Sequence, residues 1–219
     1  QTASRNYRCS FDDMLLIHGQ RPGATAVLEI TEWKEKYGRW INSGAAGIAV
    51  FDRNSDYFRL RYLFDVSDTH AGAVFKQVPV WKMKPEYAEA VIEGLEHSLG
   101  QLADKTDFIA AARSAAHNAV EDNHGDYLAD LLTSRENSFL EELDELNVSV
   151  EFRELLENSI SYMLISRCGI DAARYFDRED FRCLYDFNTP ETVNVLGAAV
   201  SGIAVNAEIK MQENAEEIL

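Results

Sequence analysis

The charge of this 219-residue chain changes sign along its length, and that division constrains the fold more than any single motif. Residues 1–84 carry 12 Lys and Arg against 9 Asp and Glu, net +3, whereas residues 85–219 carry 9 against 28, net −19. The acidity therefore belongs to the second part alone, and the first part holds all three tryptophans, Trp33, Trp40 and Trp81. The pattern of apolar residues changes at the same place. Before Pro85, short β-rich runs alternate with turns; after it, long 3.6-residue periods run on with few breakers. The simplest reading is two parts, 1–84 and 85–219, of class α+β. A small antiparallel sheet with short helices comes first, followed by an acidic helical bundle packed against it.

In the first part, Ser10 followed by Asp13 resembles a capping box, and Phe11, Met14, Leu15 and His18 then share a helical face that ends at Gly19. "ATAVLEI" reads as a strand. Thr31 is the expected N-cap of "TEWKEKYG", whose glycine suits a left-handed C-terminal position. "RWIN" and "GIAVFDR" flank "SGAAG" as a hairpin would. In "FRLRYLFDV", Arg59 and Arg61 alternate with Leu60 and Tyr62, which predicts a wet basic face and a packed apolar one. "VPVWKM" is expected to be the last strand.

The second part predicts a helix from Pro85 with Tyr87, Val91, Leu95 and Leu99 on one stripe. Further helices are expected over roughly 106–120, 125–145, 149–167 and 178–185. A final helix starts at Thr189 and Pro190, and its stripe Val193, Leu196, Val200, Ile203, Ala207 and Met211 requires a cover. Helix 149–167 is the expected cover, with a partner chain as the alternative.

Catalytic signatures are missing from the sequence. There is no HExxH, Walker loop, GxGxxG or GxSxG. Asp122, His124 and Asp126 in "EDNHGD" lack helical ligand spacing and read as a solvated loop. Asp65, Asp68 and His70 read as a turn cap, and an enzyme would need a pair that only the fold could assemble, such as Asp65 with His70. Neither a metal nor a cofactor is implied. Cys9, Cys168 and Cys183 form no paired framework, which points to a reducing, cytoplasmic compartment. No stretch approaches the roughly 20 apolar residues of a membrane span, so no membrane partner is expected. The chain opens on Gln and stops on the helical pattern "MQENAEEIL", so a segment of a longer polypeptide is expected.

The net charge of −16 argues against a generic nucleic-acid coat. The first part nevertheless interleaves cations with aromatic rings, the pairing that single-strand binders use: cations track phosphates while flat rings stack on unpaired bases. The candidates are Tyr7, Arg8, Gln20, Arg21, Lys36, Arg39, Arg59 and Arg61.

The stretch "YRCSFDDMLLIHGQRPGATAVLEITEWKEKYGRWINSGAAGIAVFD", Tyr7 to Asp52, resembles the amino-terminal single-strand-DNA-binding domain of ArdC-type antirestriction proteins. The resemblance rests on the helix start, the "LLIHGQRP" helix end, the tryptophan of the next helix and the "GAAGIAV" strand entry. Ser159 to Ser201 resembles the segment downstream of this domain in very large conjugative-element proteins of Firmicutes, which carry helicase-like and DNA-methylase modules further on. The resemblance implies a non-catalytic, DNA-associated module of a mobile-element protein. In it Arg21 would meet a phosphate, Gln20 a base or phosphate, Trp33 would anchor its helix, and Gly44 and Gly47 would turn the backbone tightly. Where the family pattern has three cations around the glycine turn, this chain has Ile41, Asn42, Ser43, Gly44, Ala45, Ala46 and Gly47. Each missing phosphate contact removes about one unit of salt dependence, so weak binding is expected. ArdC proteins continue from this domain into a zinc peptidase, whose metal motif is missing here, so no peptidase activity is implied.

The sequence leaves two functional readings. One is a module that binds single-stranded DNA or supports antirestriction. The other is an interaction or scaffolding module whose acidic helices dock onto downstream domains of the same polypeptide or a host defence protein.

Overall fold

The computed structural model describes residues 2–6, 8–53, 57–78 and 83–218, with side chains of the last helix described to residue 205. The chain forms two compact units, Gln1–Trp81 and Lys82–Leu219. The fold is α+β.

The first unit contains α1 (Thr2–Arg5), α2 (Phe11–Gln20), β1 (Val27–Glu29), α3 (Ile30–Tyr37), β2 (Arg39–Ile41), β3 (Ile48–Phe51), β4 (Leu60–Asp65) and β5 (Thr69–Ala71). Its antiparallel sheet has the order β1-β4-β3, and β2 pairs separately with β5. The two runs flanking "SGAAG" therefore do not form a hairpin, because β2 and β3 belong to different sheets. Gly44 still makes a tight turn, at φ 81°. Gly47 serves packing instead. A Cβ there would lie 2.9 Å from the Tyr62 Cβ, so its bareness lets an aromatic side chain cross the strand.

Side-chain chemistry sets the helix ends. Ser10 caps α2 by accepting the Asp13 N–H. The cap of α3 is Glu29 rather than Thr31, in a reciprocal capping box with Glu32. The helix stops at Gly38, φ 61°, where a Cβ would run into the Val74 carbonyl. Ile17, Ala24, Val27, Ile48, Val50 and Leu63 form one core between α2 and one face of the sheet. Trp33 is fully buried and donates its indole N–H to the Phe64 carbonyl at 2.7 Å, which fastens α3 to β4. Of the expected strand "VPVWKM", residues 79–82 lie outside the described residues.

The second unit packs α4 (Ala88–Leu99), α5 (Phe108–Ser134), α6 (Glu145–Arg167) and α7 (Pro190–Ile218), with short 3-10 turns between them. The region 178–185, expected as a helix, is such a turn over Glu179–Asp186. Residues 121–124, expected as a loop, lie inside the unbroken α5. Ala111, Ala112, Ala115, Ala116 and Ala119 are buried along that helix, and their small side chains let neighbouring helices approach closely. Helix α7 begins at Pro190 behind Thr189, whose hydroxyl accepts the Thr192 N–H. Of its stripe, Leu196 and Ile203 are buried while Val193 is exposed, and α7 packs on α4, α5 and α6, not on the 149–167 segment alone.

Candidate nucleic-acid interface

The alternation in β4 is real, but its two faces are exchanged relative to expectation. Leu63 points into the core beside α2, so Arg61, two residues away, points to that same side. There it donates to Asp13 at 2.8 Å and to Glu29 at 3.0 Å. The Asp13 side chain is 3% exposed, so this ion pair sits at the margin of the core rather than on a wet surface. Leu60 and Tyr62 occupy the opposite face and are exposed. Phe51, paired with Leu60 across the ladder, joins them, and the Phe58 ring lies 5.0 Å from that of Phe51. One side of the sheet is thus closed by α2, while the other presents an open aromatic patch of Phe51, Phe58 and Tyr62, with Phe58 85% exposed.

Most candidate cations are engaged within their own unit. Arg21 forms an ion pair with Asp68, which raises its already high pKa, and also donates to Ser67. Lys36 pairs with Glu32 one turn before it, and Arg39 donates to the hydroxyl and carbonyl of Thr69 at 2.6 and 3.1 Å. Arg53, outside the candidate set, pairs with Asp12. Arg59 is exposed, and no carboxylate partner is seen for it among the described residues. Arg8 is exposed and Tyr7 lies outside the described residues. The unit as folded carries 10 Lys and Arg against 9 Asp and Glu, net +1.

Gln20 has a different place from the base or phosphate contact expected of it. Its amide NH2 donates to the Ala49 carbonyl at 2.8 Å, and its amide oxygen accepts the Ala49 N–H at 3.0 Å. The NH2 group also donates to the Leu16 carbonyl. The side chain therefore occupies the outer edge of β3.

The remaining chemical candidates do not converge. Asp65 caps the turn after it, accepting from Ser67 and from the backbone of Thr25 and Ala26. Burial opposes its ionisation, but these hydrogen bonds outweigh burial and hold its pKa below the ordinary carboxylate value. His70 bonds Asn42 instead, at 2.8 Å. Burial, with Asp13 nearby, pushes the Cys9 thiol up to about 11, and burial likewise raises Cys183, so neither is a ready thiolate. In the helical unit His117, Glu121 and Glu157 bring ligand atoms within 4.8 Å of one another. Arg153 pairs with Glu121 at 2.5 Å, however, and His117 with Glu157 at 2.9 Å, so the cluster reads as an ion-pair network. No helix among the described residues is long and apolar enough to cross a membrane.

The aromatic patch is the feature that sequence reasoning missed. Its signal was present in the run "YFRLRY", but which side of the strand α2 would cover was not. Comparison with protein-family models, curated proteins and solved structures gives no match. Fold and site thus define an α+β protein with a one-sided sheet and an acidic helical unit.

Proposed function

We propose that the first unit is a non-catalytic module that holds single-stranded DNA by stacking unpaired bases on the open face of β3 and β4. The carrying observation is the uncovered patch of Phe51, Phe58 and Tyr62. Stacking on an aromatic ring contributes about 1–3 kcal/mol per base and needs no dense positive charge. That matches a unit of net charge only +1, in which Arg21, Lys36, Arg53 and Arg61 pair with its own carboxylates. The resemblance of Tyr7 to Asp52 to the ArdC-type DNA-binding domain supports the same ligand. Arg59, exposed and next to Phe58 in the chain, is the cation proposed to meet a phosphate, and the missing charges at residues 41–47 make the phosphate contribution small.

Fluorescence anisotropy with a labelled oligonucleotide at two salt concentrations tests this reading. The expected slope of log K against log salt is shallow, about one or two units. Phe58→Ala with Tyr62→Ala is expected to weaken binding about tenfold or more. Arg21→Ala with Arg39→Ala is expected to act on stability rather than on affinity. No binding at low salt, or binding indifferent to loss of the two rings, removes the proposal.

The helical unit supports the second reading. It holds 11 Lys and Arg against 28 Asp and Glu, and Lys105, Arg153 and Arg174 are already paired internally. A surface of that sign suits a basic protein partner, such as a downstream domain of the same polypeptide.

A further inference from the structure

In the β3–β4 ladder the Asp52 N–H donates to the Arg59 carbonyl, so the alternating pattern turns the N–H and C=O of Ala49 and Phe51 outward, away from β4. These groups form the exposed edge of the sheet, because β3 is its last strand. An edge of this kind is a template for another strand unless something occupies it. Here side chains occupy it: the Gln20 amide reproduces both hydrogen bonds of a neighbouring strand on Ala49, and the Arg61 Nε–H donates to the Phe51 carbonyl at 3.4 Å. The opposite edge is closed by the same device. Asn6 accepts the outward Val27 N–H at 3.2 Å, and Glu32 accepts that of Glu29 at 3.3 Å.

The two edges differ in how firmly they are held. Asn6 is buried and also donates to the Thr2 carbonyl, whereas Gln20 is exposed, at the last residue of α2, and reaches the edge through a side chain one methylene longer. We propose that the outer edge of β3 is a strand-pairing surface for a second copy of this chain, held shut by Gln20.

The strand itself argues for a second copy. Ile48–Phe51 is uncharged and rich in β-formers. Antiparallel pairing about Val50 sets Ala49 against the second copy's Phe51, so all the outward groups of those residues bond reciprocally. The flanking charges do not collide, because Asp52 then faces Ile48 and Arg53 faces Gly47. Such a contact is two-fold and closes on itself, giving a dimer with one continuous sheet. The two aromatic patches would then lie side by side on the same face.

Sedimentation of the full chain tests the inference. Gln20→Ala is expected to associate into dimers about tenfold more tightly than the wild type. Ala49→Pro added to that variant removes the outward donor at an edge position that tolerates proline, and is expected to restore wild-type sedimentation. Association unchanged in Gln20→Ala with native tryptophan emission, or persisting in the double variant, overturns the proposal. An independent reading comes from the wild-type chain by hydrogen exchange. The Ala49 amide is expected to be protected, and exchange at the rate of an open edge would show that Gln20 does not hold it shut.

Discussion

The two units solve the problem of a charged chain in opposite ways. In the helical unit apolar side chains turn inward on α4, α5, α6 and α7, and a large excess of carboxylate is left in water. In the sheet unit the short helices leave part of the apolar supply uncovered. Ion pairs are drawn toward the core, as at Asp13 and Arg61, while Phe51, Phe58 and Tyr62 stay outside. An exposed ring on a bundle is usually incidental, but contiguous rings on the unclosed side of a sheet form the kind of apolar patch on which the proposed binding rests.

The largest effect expected from this contrast is between a covered and an uncovered apolar side chain. Leu164 is fully buried in α6, and Leu164→Ala is expected to cost about 3 kcal/mol through lost burial and the cavity left behind. Phe58→Ala, at an exposed ring, is expected to change stability by less than about 0.5 kcal/mol. Urea titrations separate the two units without dissection. Trp33 and Trp40 lie in α3 and β2 and report the sheet unit, while far-ultraviolet circular dichroism is dominated by the helices. A large loss for Phe58→Ala would mean that the patch belongs to a core.

Within the sheet unit the next effect is at the buried ion pair. Arg61→Met leaves the Asp13 carboxylate enclosed without its cation, and a Glu29 carboxylate nearby. Removing one partner of a fully buried pair costs about 3–5 kcal/mol; the Arg61 side chain is 34% exposed, which admits water and lowers the expectation to about 2 kcal/mol. The measurement is the urea midpoint by tryptophan fluorescence. An effect near zero would return Arg61 to the surface role that its alternation with Leu60 and Tyr62 suggested.

That reversal shows where sequence reading stopped. Period-two alternation in β4 is visible in "RLRYLF", but alternation has no sign. The sign comes from Asp13, which places a carboxylate from α2 over the strand 48 residues later. Gln20 was visible as the end of α2, yet nothing local shows that the strand it meets is an edge, because edge position depends on β4 pairing between β1 and β3. In α5 the polar run "EDNH" before Gly125 imitates a loop. The glycine costs only about 1 kcal/mol in a helix, and burial of the alanine face on three neighbours outweighs it. What was legible was local: the Ser10 cap, the Gly38 stop and the Thr189–Pro190 start.

A smaller, pH-dependent effect belongs to Asp65. Its folded-state pKa is held below the ordinary value of 3.8, so the stability it contributes is complete above that value and is lost as pH falls through the lowered one. Asp65→Asn is expected to cost the sheet unit about 1.5–2 kcal/mol at neutral pH, the lower end of the range for hydrogen bonds to a charged group. The deficit is expected to shrink at pH values below 3.8, where the wild-type carboxyl itself takes up a proton. Urea titrations monitored by tryptophan fluorescence across that range read it directly. A deficit that stays constant with pH would assign the loss to packing instead of charge.

The smallest effect completes the contrast from the other side. Arg153 pairs with Glu121 across α5 and α6 much as Arg61 pairs with Asp13, and the N–O distances are 2.5 and 2.8 Å. Distance alone would rank the helical pair as the stronger. Exposure reverses the order: Glu121 is 42% exposed and Asp13 only 3%, so water already solvates most of what Arg153 supplies. Arg153→Ala is therefore expected to lower stability by less than about 1 kcal/mol, read from the helical signal in urea. The same change also removes the contact in which the guanidinium donates to the Nε2 of His124 at 3.4 Å. A loss as large as that of Arg61→Met would mean that the His117, Glu121 and Glu157 network is enclosed in solution, and the division between a sheet unit that buries its charges and a bundle that solvates them would fail.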